Sequence, residues 1–324
     1  MKINTVLGQI DSKDLGVTLM HEHIHTLSYD FAVAFPGHFN KEKTVELFCE
    51  EMKPLKEKYG LKTFVDATPI TLGRNVDLMK ECAEKAEVNI IAVTGLYWQE
   101  SPSFLDGVDP EYLADLFIGE IEHGMQGTGI KPGIIKASTQ KANNSSETNR
   151  NMVKAAAIAH KATGLPIYTH SDPTGETALF QKEVFEEMGV DMKHVAYGHA
   201  GSCGNQEYEK KLMEPGSYVG FDQIGFFLPD WAPDSFNALK TFMQDDNYRK
   251  QLFLSCDQAV FSDYGNVGQP WLRDKEKNPC CITEARRRAL FEYSVDWLKA
   301  QGVTQAQIDE VFTLNPRRFF GEEI

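Results

Sequence analysis

Val17-Thr18-Leu19-Met20-His21-Glu22-His23 begins as a nearly continuous apolar run and closes on two histidines separated by one glutamate. In a strand, the period of two turns both histidines to one side and Glu22 to the other. Further runs of the same kind follow at Lys62 to Pro69, Asn89 to Trp98, Gly133 to Thr139, Leu165 to Asp172, Val195 to Gly201, Tyr218 to Gly225 and Gln251 to Gln258. They are continuous in Val, Ile, Leu, Phe, Tyr or Thr instead of alternating, as expected of strands buried on both faces of a parallel sheet. Helical segments lie between them. Asp109-Pro110 is an N-cap followed by proline at the first helical position, and Gly164 stops an Ala-rich helix that begins near Glu147. Gly302 to Ile308 reads as a helix stop, then a capping box with Val303 and Ile308 as its hydrophobic staple.

Eight strands alternating with helices predict an α/β fold of the (β/α)8 TIM-barrel type, with the remaining length lodged in βα loops and a short N-terminal lead-in. A doubly wound sheet would carry a glycine-rich phosphate turn after its first strand, where this chain has His21-Glu22-His23. No repeat beyond the βα period and no Ser/Pro/Gly-rich linker interrupts the sequence, so one domain over residues 1–324 is expected. The loop from Phe261 to Thr283 is the longest after any strand, and such loops cover barrel active sites.

Composition narrows the functional classes. Lys+Arg 33 against Asp+Glu 47 gives a formal charge of -14, which repels phosphate backbones and anionic lipid, so neither nucleic acid nor a membrane surface is an expected partner. No run of about 18 apolar residues and no signal-like start is present, which predicts a cytoplasmic location. The cysteines (Cys49, Cys82, Cys203, Cys256, Cys280, Cys281) form no C-x-x-C, so a bound metal would be held by nitrogen and oxygen.

Barrel active sites lie at the carboxyl ends of the strands, and here the polar residues fall at those ends. After His21 and His23 come Lys136 on strand four, His170 on strand five, His199 on strand six and Asp257 on strand eight. Each alone has a plainer reading: a histidine as a hydrogen-bonded rim residue, an aspartate as a cap for the next helix, a lysine as a salt-bridge partner or amine nucleophile. Their joint occurrence points to metal. The other histidines (His25, His38, His123, His160, His194) fall mostly in loops and helices as packing or surface residues, although His25 could support a ligand from behind. Imidazole and carboxylate suit Zn, Mn, Fe, Co or Ni, and the ligands outnumber the needs of one tetrahedral ion, which predicts two ions. Two ions need a bridging anion, which an unmodified Lys136 ammonium cannot supply.

The set His21-x-His23, Lys136, His170, His199 and Asp257 resembles the phosphotriesterase family of the amidohydrolase superfamily, from Leu19-Met20-His21-Glu22-His23 to Asn315-Pro316-Arg317-Arg318-Phe319. The resemblance implies that Lys136 is N6-carboxylated and that this carbamate bridges two divalent ions, zinc being the first expectation. It further implies that His21, His23 and Asp257 hold the more buried ion and His170 and His199 the more exposed one. Hydroxide between them would attack, Asp257 would carry its proton to the leaving alkoxide, and Tyr97 would hydrogen-bond the substrate oxygen, unless it is simply a packed rim tyrosine.

Family membership leaves the substrate open, because βα loops set specificity. The loops Phe226-Phe227-Leu228-Pro229-Asp230-Trp231 and Phe261-Ser262-Asp263-Tyr264-Gly265-Asn266 mix aromatic and polar groups, unlike the large apolar pockets that phosphotriesters require. Acyl-homoserine lactonases of the family typically carry Asp-Arg-Tyr after strand seven, where this chain has Asp222-Gln223-Ile224. The chain is more similar to the branch that opens phosphorylated sugar lactones. A small polar, phosphorylated carbohydrate lactone is therefore the expected substrate, with Arg273, Lys240, Asn266 and Tyr264 as candidate phosphate contacts. Phosphotriesters and other carboxyl esters are the alternatives within the family. A Schiff-base aldolase using Lys136 and a non-catalytic binding protein are the alternatives outside it, but the first would not need four histidines and the second would be expected to lose a ligand. A homodimer is compatible with the sequence.

Overall fold

The computed structural model describes residues 1–35, 37–97, 105–140, 146–172, 174, 176–225, 228–262 and 287–324. Strands β1 (Lys2–Thr5) and β2 (Gly8–Asp11) pair as an antiparallel hairpin, where the sequence had suggested only a lead-in. A parallel sheet follows: β3 (Val17–Thr26), β4 (Leu61–Asp66), β5 (Asn89–Gly95), β6 (Ile134–Ser138), β7 (Ile167–His170), β8 (Val195–Gly198), β9 (Tyr218–Phe221), β10 (Leu252–Leu254) and β11 (Ala259–Ser262). Each strand pairs with the next in sequence from β3 to β10, and β11 pairs with β3, so the sheet closes into the (β/α)8 barrel.

The eight staves begin and run in the order expected, with two differences. The eighth is split into β10 and β11, because after Ser255, whose N–H still reaches Phe221 O at 3.3 Å, residues 256–258 leave the β9 ladder and Asp257 adopts a left-handed φ of 52°. Backbone bonds nevertheless tie this break to β3, from Asp257 N to His21 O at 3.1 Å and from His23 N to Gln258 O at 2.9 Å. The first stave continues past His23 to Thr26, because Phe261 and Ser262 of β11 supply partners for His25 and Thr26.

Helices α1 (Tyr29–Ala34), α2 (Lys41–Tyr59), α3 (Val76–Ala86), α4 (Pro110–His123), α5 (Glu147–Thr163), α6 (Ala178–Glu187), α7 (Gln206–Met213), α8 (Pro233–Gln244), α9 (Val295–Ala300), α10 (Gln305–Asp309) and α11 (Asn315–Phe319) complete the chain. Their ends follow the local chemistry. Asp109 caps α4 ahead of Pro110, Gly164 ends α5 at φ 75°, and Thr304 with Gln307 forms the capping box of α10. A π turn at Glu310–Leu314 joins α10 to α11. Two apolar layers result: one between strands and helices, including Phe48, Phe64, Phe185 and Phe242, and one inside the barrel, including Met20, Val65, Val93, Tyr168 and Phe253. Ile3 of the hairpin and Phe319 and Phe320 near the C-terminus join the inner layer. They close the mouth at the strands' amino ends and leave the opposite mouth to the polar residues. Among the described residues no helix is long and apolar enough to cross a membrane.

Candidate metal centre

Strand register brings the polar residues of the open mouth together. Lys136 lies across from Gly95 on one side and Tyr168 on the other, His170 pairs with Ser138 and Gly198, and His23 pairs with Ala259 just after Asp257. His199 follows the last residue of β8 in a left-handed conformation, φ 65°. Such a backbone is unusual for a residue with a Cβ and needs outside support. It comes from Asp222, one residue past β9, whose Oδ1 accepts the His199 backbone N–H at 2.8 Å.

The rings of His21, His23 and His199 are tied down through Nδ1. His21 Nδ1 donates to Asp222 Oδ2 and His199 Nδ1 to Asp222 Oδ1, both at 2.8 Å, while His23 Nδ1 meets Thr68 Oγ1 at 2.7 Å. Their Nε2 atoms consequently face one shared space. His21 Nε2 is 3.1 Å from Lys136 Nζ, His23 Nε2 is 3.1 Å from Asp257 Oδ1, and His199 Nε2 is 2.9 Å from His170 Nδ1. Asp257 also approaches His21 and His199 at 3.6 Å and accepts from Gln223 Nε2 at 3.2 Å. The arrangement fits metal: four imidazoles and a carboxylate converge, and two ring nitrogens, His170 Nδ1 and His199 Nε2, face each other at 2.9 Å. His21, His23 and Asp257 bring ligand atoms within 4.8 Å of one another. His21, His199 and Asp222 do the same, but those contacts are the hydrogen bonds just given, so Asp222 orients the rings.

The phosphotriesterase family model matches residues 1–320. This chain belongs to the phosphotriesterase family. It is 32% identical over 314 residues to the aryldialkylphosphatase of Saccharolobus solfataricus, covering 96% of each chain. It is 33% identical over 330 residues to a phosphotriesterase homology protein of Mycobacterium tuberculosis, covering 98% of this chain and 97% of that one. The solved structure of the phosphotriesterase from Mycobacterium tuberculosis matches with a TM-score of 0.88 at 32% identity, covering 99% of this chain and 98% of that one. Like other phosphotriesterase-family members, the protein is a metal-dependent hydrolase acting on esters.

The ionisation of this phosphotriesterase-family site suits cations. Burial, and then the Lys136 ammonium, hold His21 down to about 3, and burial with the neighbouring His199 keeps His170 well below the usual imidazole range. Both therefore offer lone pairs. Burial opposes ionisation of Asp222 and Asp257, but the surrounding histidines outweigh it and push both carboxyls down. At His199 burial is again the largest influence and lowers the ring, but the Asp222 and Asp257 carboxylates together outweigh it and raise it. Burial lowers Lys136 to about 8.

The structure also separates these residues from others. Tyr97 stands edge-on to His170, with ring centroids 5.0 Å apart. Lys240 lies in the second half of α8, half-buried, and shares no hydrogen bond or ion pair with the histidine cluster among the described residues. Arg273, Asn266 and Tyr264, and nearly all of the long loop after the eighth stave, fall outside the described residues. His25 is engaged elsewhere, donating from Nε2 to Gly73 O at 2.6 Å and packing on Phe39. Asp222, Thr68 and Gln223 were not singled out from sequence as site residues. The available signal for Asp222 was its position: an acid immediately beyond a buried strand, as at the other polar strand ends.

Proposed function

We propose that this protein uses two divalent metal ions to open lactones of small polar, phosphorylated sugars. The observation that carries the reading is the inward convergence of His21, His23, Lys136, His170, His199 and Asp257, with Nδ1 of three rings secured and the opposite nitrogens turned into one shared space against the other members of the set. His21, His23 and Asp257 would hold one ion and His170 and His199 the other, with Lys136, carboxylated on Nζ, between them; zinc suits this donor set and Mn, Co, Fe or Ni are also compatible. Bound ions would lower the pKa of water and polarise the ester oxygen.

The chain's own groups supply the rest. Lactone opening adds one water across the acyl C–O bond, so one proton must leave the attacking water and one must reach the departing alkoxide. Asp257 is the carboxylate suited to this transfer: its side chain is 18% exposed while those of His199 and Asp222 are 0% exposed. Gln223 keeps its Oδ2 oriented. Tyr97 flanks the His170 side, where a hydroxyl could meet the substrate oxygen. Arg273 would supply the charge that a phosphorylated substrate needs against the net charge of -14, with Lys240, Asn266 and Tyr264 as further candidates. The substrate is a small molecule, not a nucleic acid or a membrane.

The name of the aryldialkylphosphatase relative favours a second reading, hydrolysis of phosphotriesters. The deciding experiment is a panel of sugar lactones with and without phosphate, acyl-homoserine lactones and aryl dialkyl phosphates, assayed on metal-reconstituted protein. A higher kcat/KM for phosphorylated lactones is expected, and Arg273→Ala should raise their KM by about ten- to a hundredfold while sparing the neutral lactones. Equal effects on both lactones would remove the phosphate pocket, and preference for aryl phosphates would establish the second reading.

A further inference from the structure

We infer that Asp222 is a positioning residue that holds its two histidines unequally, so that replacing its carboxylate by a carboxamide disables His21 as a ligand and spares His199. The inference rests on the two-ion reading above. Each carboxylate oxygen accepts from two donors. Oδ1 takes the backbone N–H and ring Nδ1–H of His199, both at 2.8 Å. Oδ2 takes His21 Nδ1–H and the Tyr168 hydroxyl, also at 2.8 Å. In the unmutated chain a second contact agrees with this tautomer: Lys136 Nζ lies 3.1 Å from His21 Nε2, where an ammonium donates to the lone pair, whereas a neutral amine would accept from Nε2–H once Nδ1 becomes the acceptor.

Asp222→Asn exchanges one oxygen for an NH2 group, and the two positions are not equivalent. At the Oδ1 position the NH2 would confront the His199 backbone N–H, which can never accept, in a cradle with 0% exposure. At the Oδ2 position both partners can reverse, because a hydroxyl rotates and an imidazole can move its proton to the other nitrogen. The surroundings leave the carboxamide no other seat. A Cβ at Gly220 would lie 2.5 Å from Asp222 Oδ2 and 2.8 Å from Tyr168 Oη, and one at Gly198 would lie 3.2 Å from His21 Nδ1. The Asn oxygen therefore turns to His199 and its nitrogen to His21. His21 must then accept at Nδ1 and carry its proton on Nε2, the atom it needs for metal.

The test counts zinc on full-length protein reconstituted in bicarbonate. The expected result is two ions in the unmutated chain and in Tyr168→Phe, and one in Asp222→Asn, with affinity for the lost ion reduced at least tenfold. Adding His21→Asn to Asp222→Asn should lose nothing more, whereas adding His199→Asn should remove the remaining ion. Two ions in Asp222→Asn, or a loss that His199→Asn absorbs in place of His21→Asn, overturns the inference. Fewer than two ions in the unmutated chain removes the two-ion reading instead. The tautomer is then decided separately by 15N NMR of the metal-free, histidine-labelled protein, where His21 should carry its proton on Nδ1 in the unmutated chain and on Nε2 in Asp222→Asn. If the variant does not fold, a proton on Nε2 alone at His21 or His199 of the unmutated chain overturns it, and Nδ1–H at both supports it.

Discussion

Arg287 donates from Nε to Glu22 Oε2 at 2.7 Å, and both side chains are 0% exposed. Glu22 is the residue between the two histidines of β3, and its carboxylate also accepts from Cys256 N at 2.7 Å and Gln258 N at 3.3 Å, the residues on either side of Asp257. Arg287 adds bonds to the carbonyls of His23 and Gln258 and to the Glu51 carboxylate. One buried pair thus staples the first stave to the break in the eighth, and holds Asp257 in its left-handed conformation. Burial already raises the Glu22 carboxyl to about 7 against the pull of Arg287, so Arg287→Met drives it toward the neutral acid and takes this donor from Glu51 and from the His23 and Gln258 carbonyls, and should lower unfolding stability in urea by about 3–5 kcal/mol. A change below about 1 kcal/mol would show that the staple does not support the fold.

Reconstituted protein should hold close to two transition-metal ions per chain. Lys136→Ala should lose most of both by metal analysis, because it removes the group proposed to bridge them. Short carboxylic acids should return part of its activity by entering the vacated bridge. One ion or none in the unmutated chain would rule out the two-ion centre.

Asp257→Asn keeps an oxygen for the metal but cannot accept a proton. Its kcat should fall by about 10² to 10⁴. Metal content should change far less. A kcat close to the original would move proton transfer to another group.

Glu209 of α7 is buried away from the mouth, with Oε2 lacking a partner among the described residues and Oε1 3.8 Å from Cys203 Sγ. Burial pushes its carboxyl up from 4.5 to about 8. The folded state thus binds this proton more tightly than the unfolded chain does. The associated stability is fully present below about pH 4.5 and is lost as pH rises toward 8. Glu209→Gln should remove a slope approaching one proton, roughly 1.4 kcal/mol per pH unit, from the stability profile in that window. Parallel profiles for the two proteins would show that Glu209 does not take up a proton on folding.

Local pattern accounts for what was readable in advance. The starts of the staves were legible because each is a buried apolar run bounded by turn chemistry, and caps such as Asp109-Pro110 and Thr304 act within one helical turn. The six candidate ligands were legible because strand ends in a barrel all face one mouth, so their chemistry can be added together before any distance is known. Glu22 could be placed on the side opposite the histidines from the strand period alone. Its partner could not, since Arg287 is 265 residues away and reaches it only after the barrel closes.

The sequence by itself determined the order of the staves and the nitrogen and oxygen chemistry of the mouth, because both follow from residues close together in the chain. Tertiary structure alone decided the lengthening of the first stave, the split in the eighth and the work of Asp222. Those depend on partners from separate strands: β11 completes the end of β3, and the donors to Asp222 come from His21, Tyr168 and His199. A buried carboxylate takes its role from the donors that reach it, and for Asp222 that set exists only once the strands are side by side.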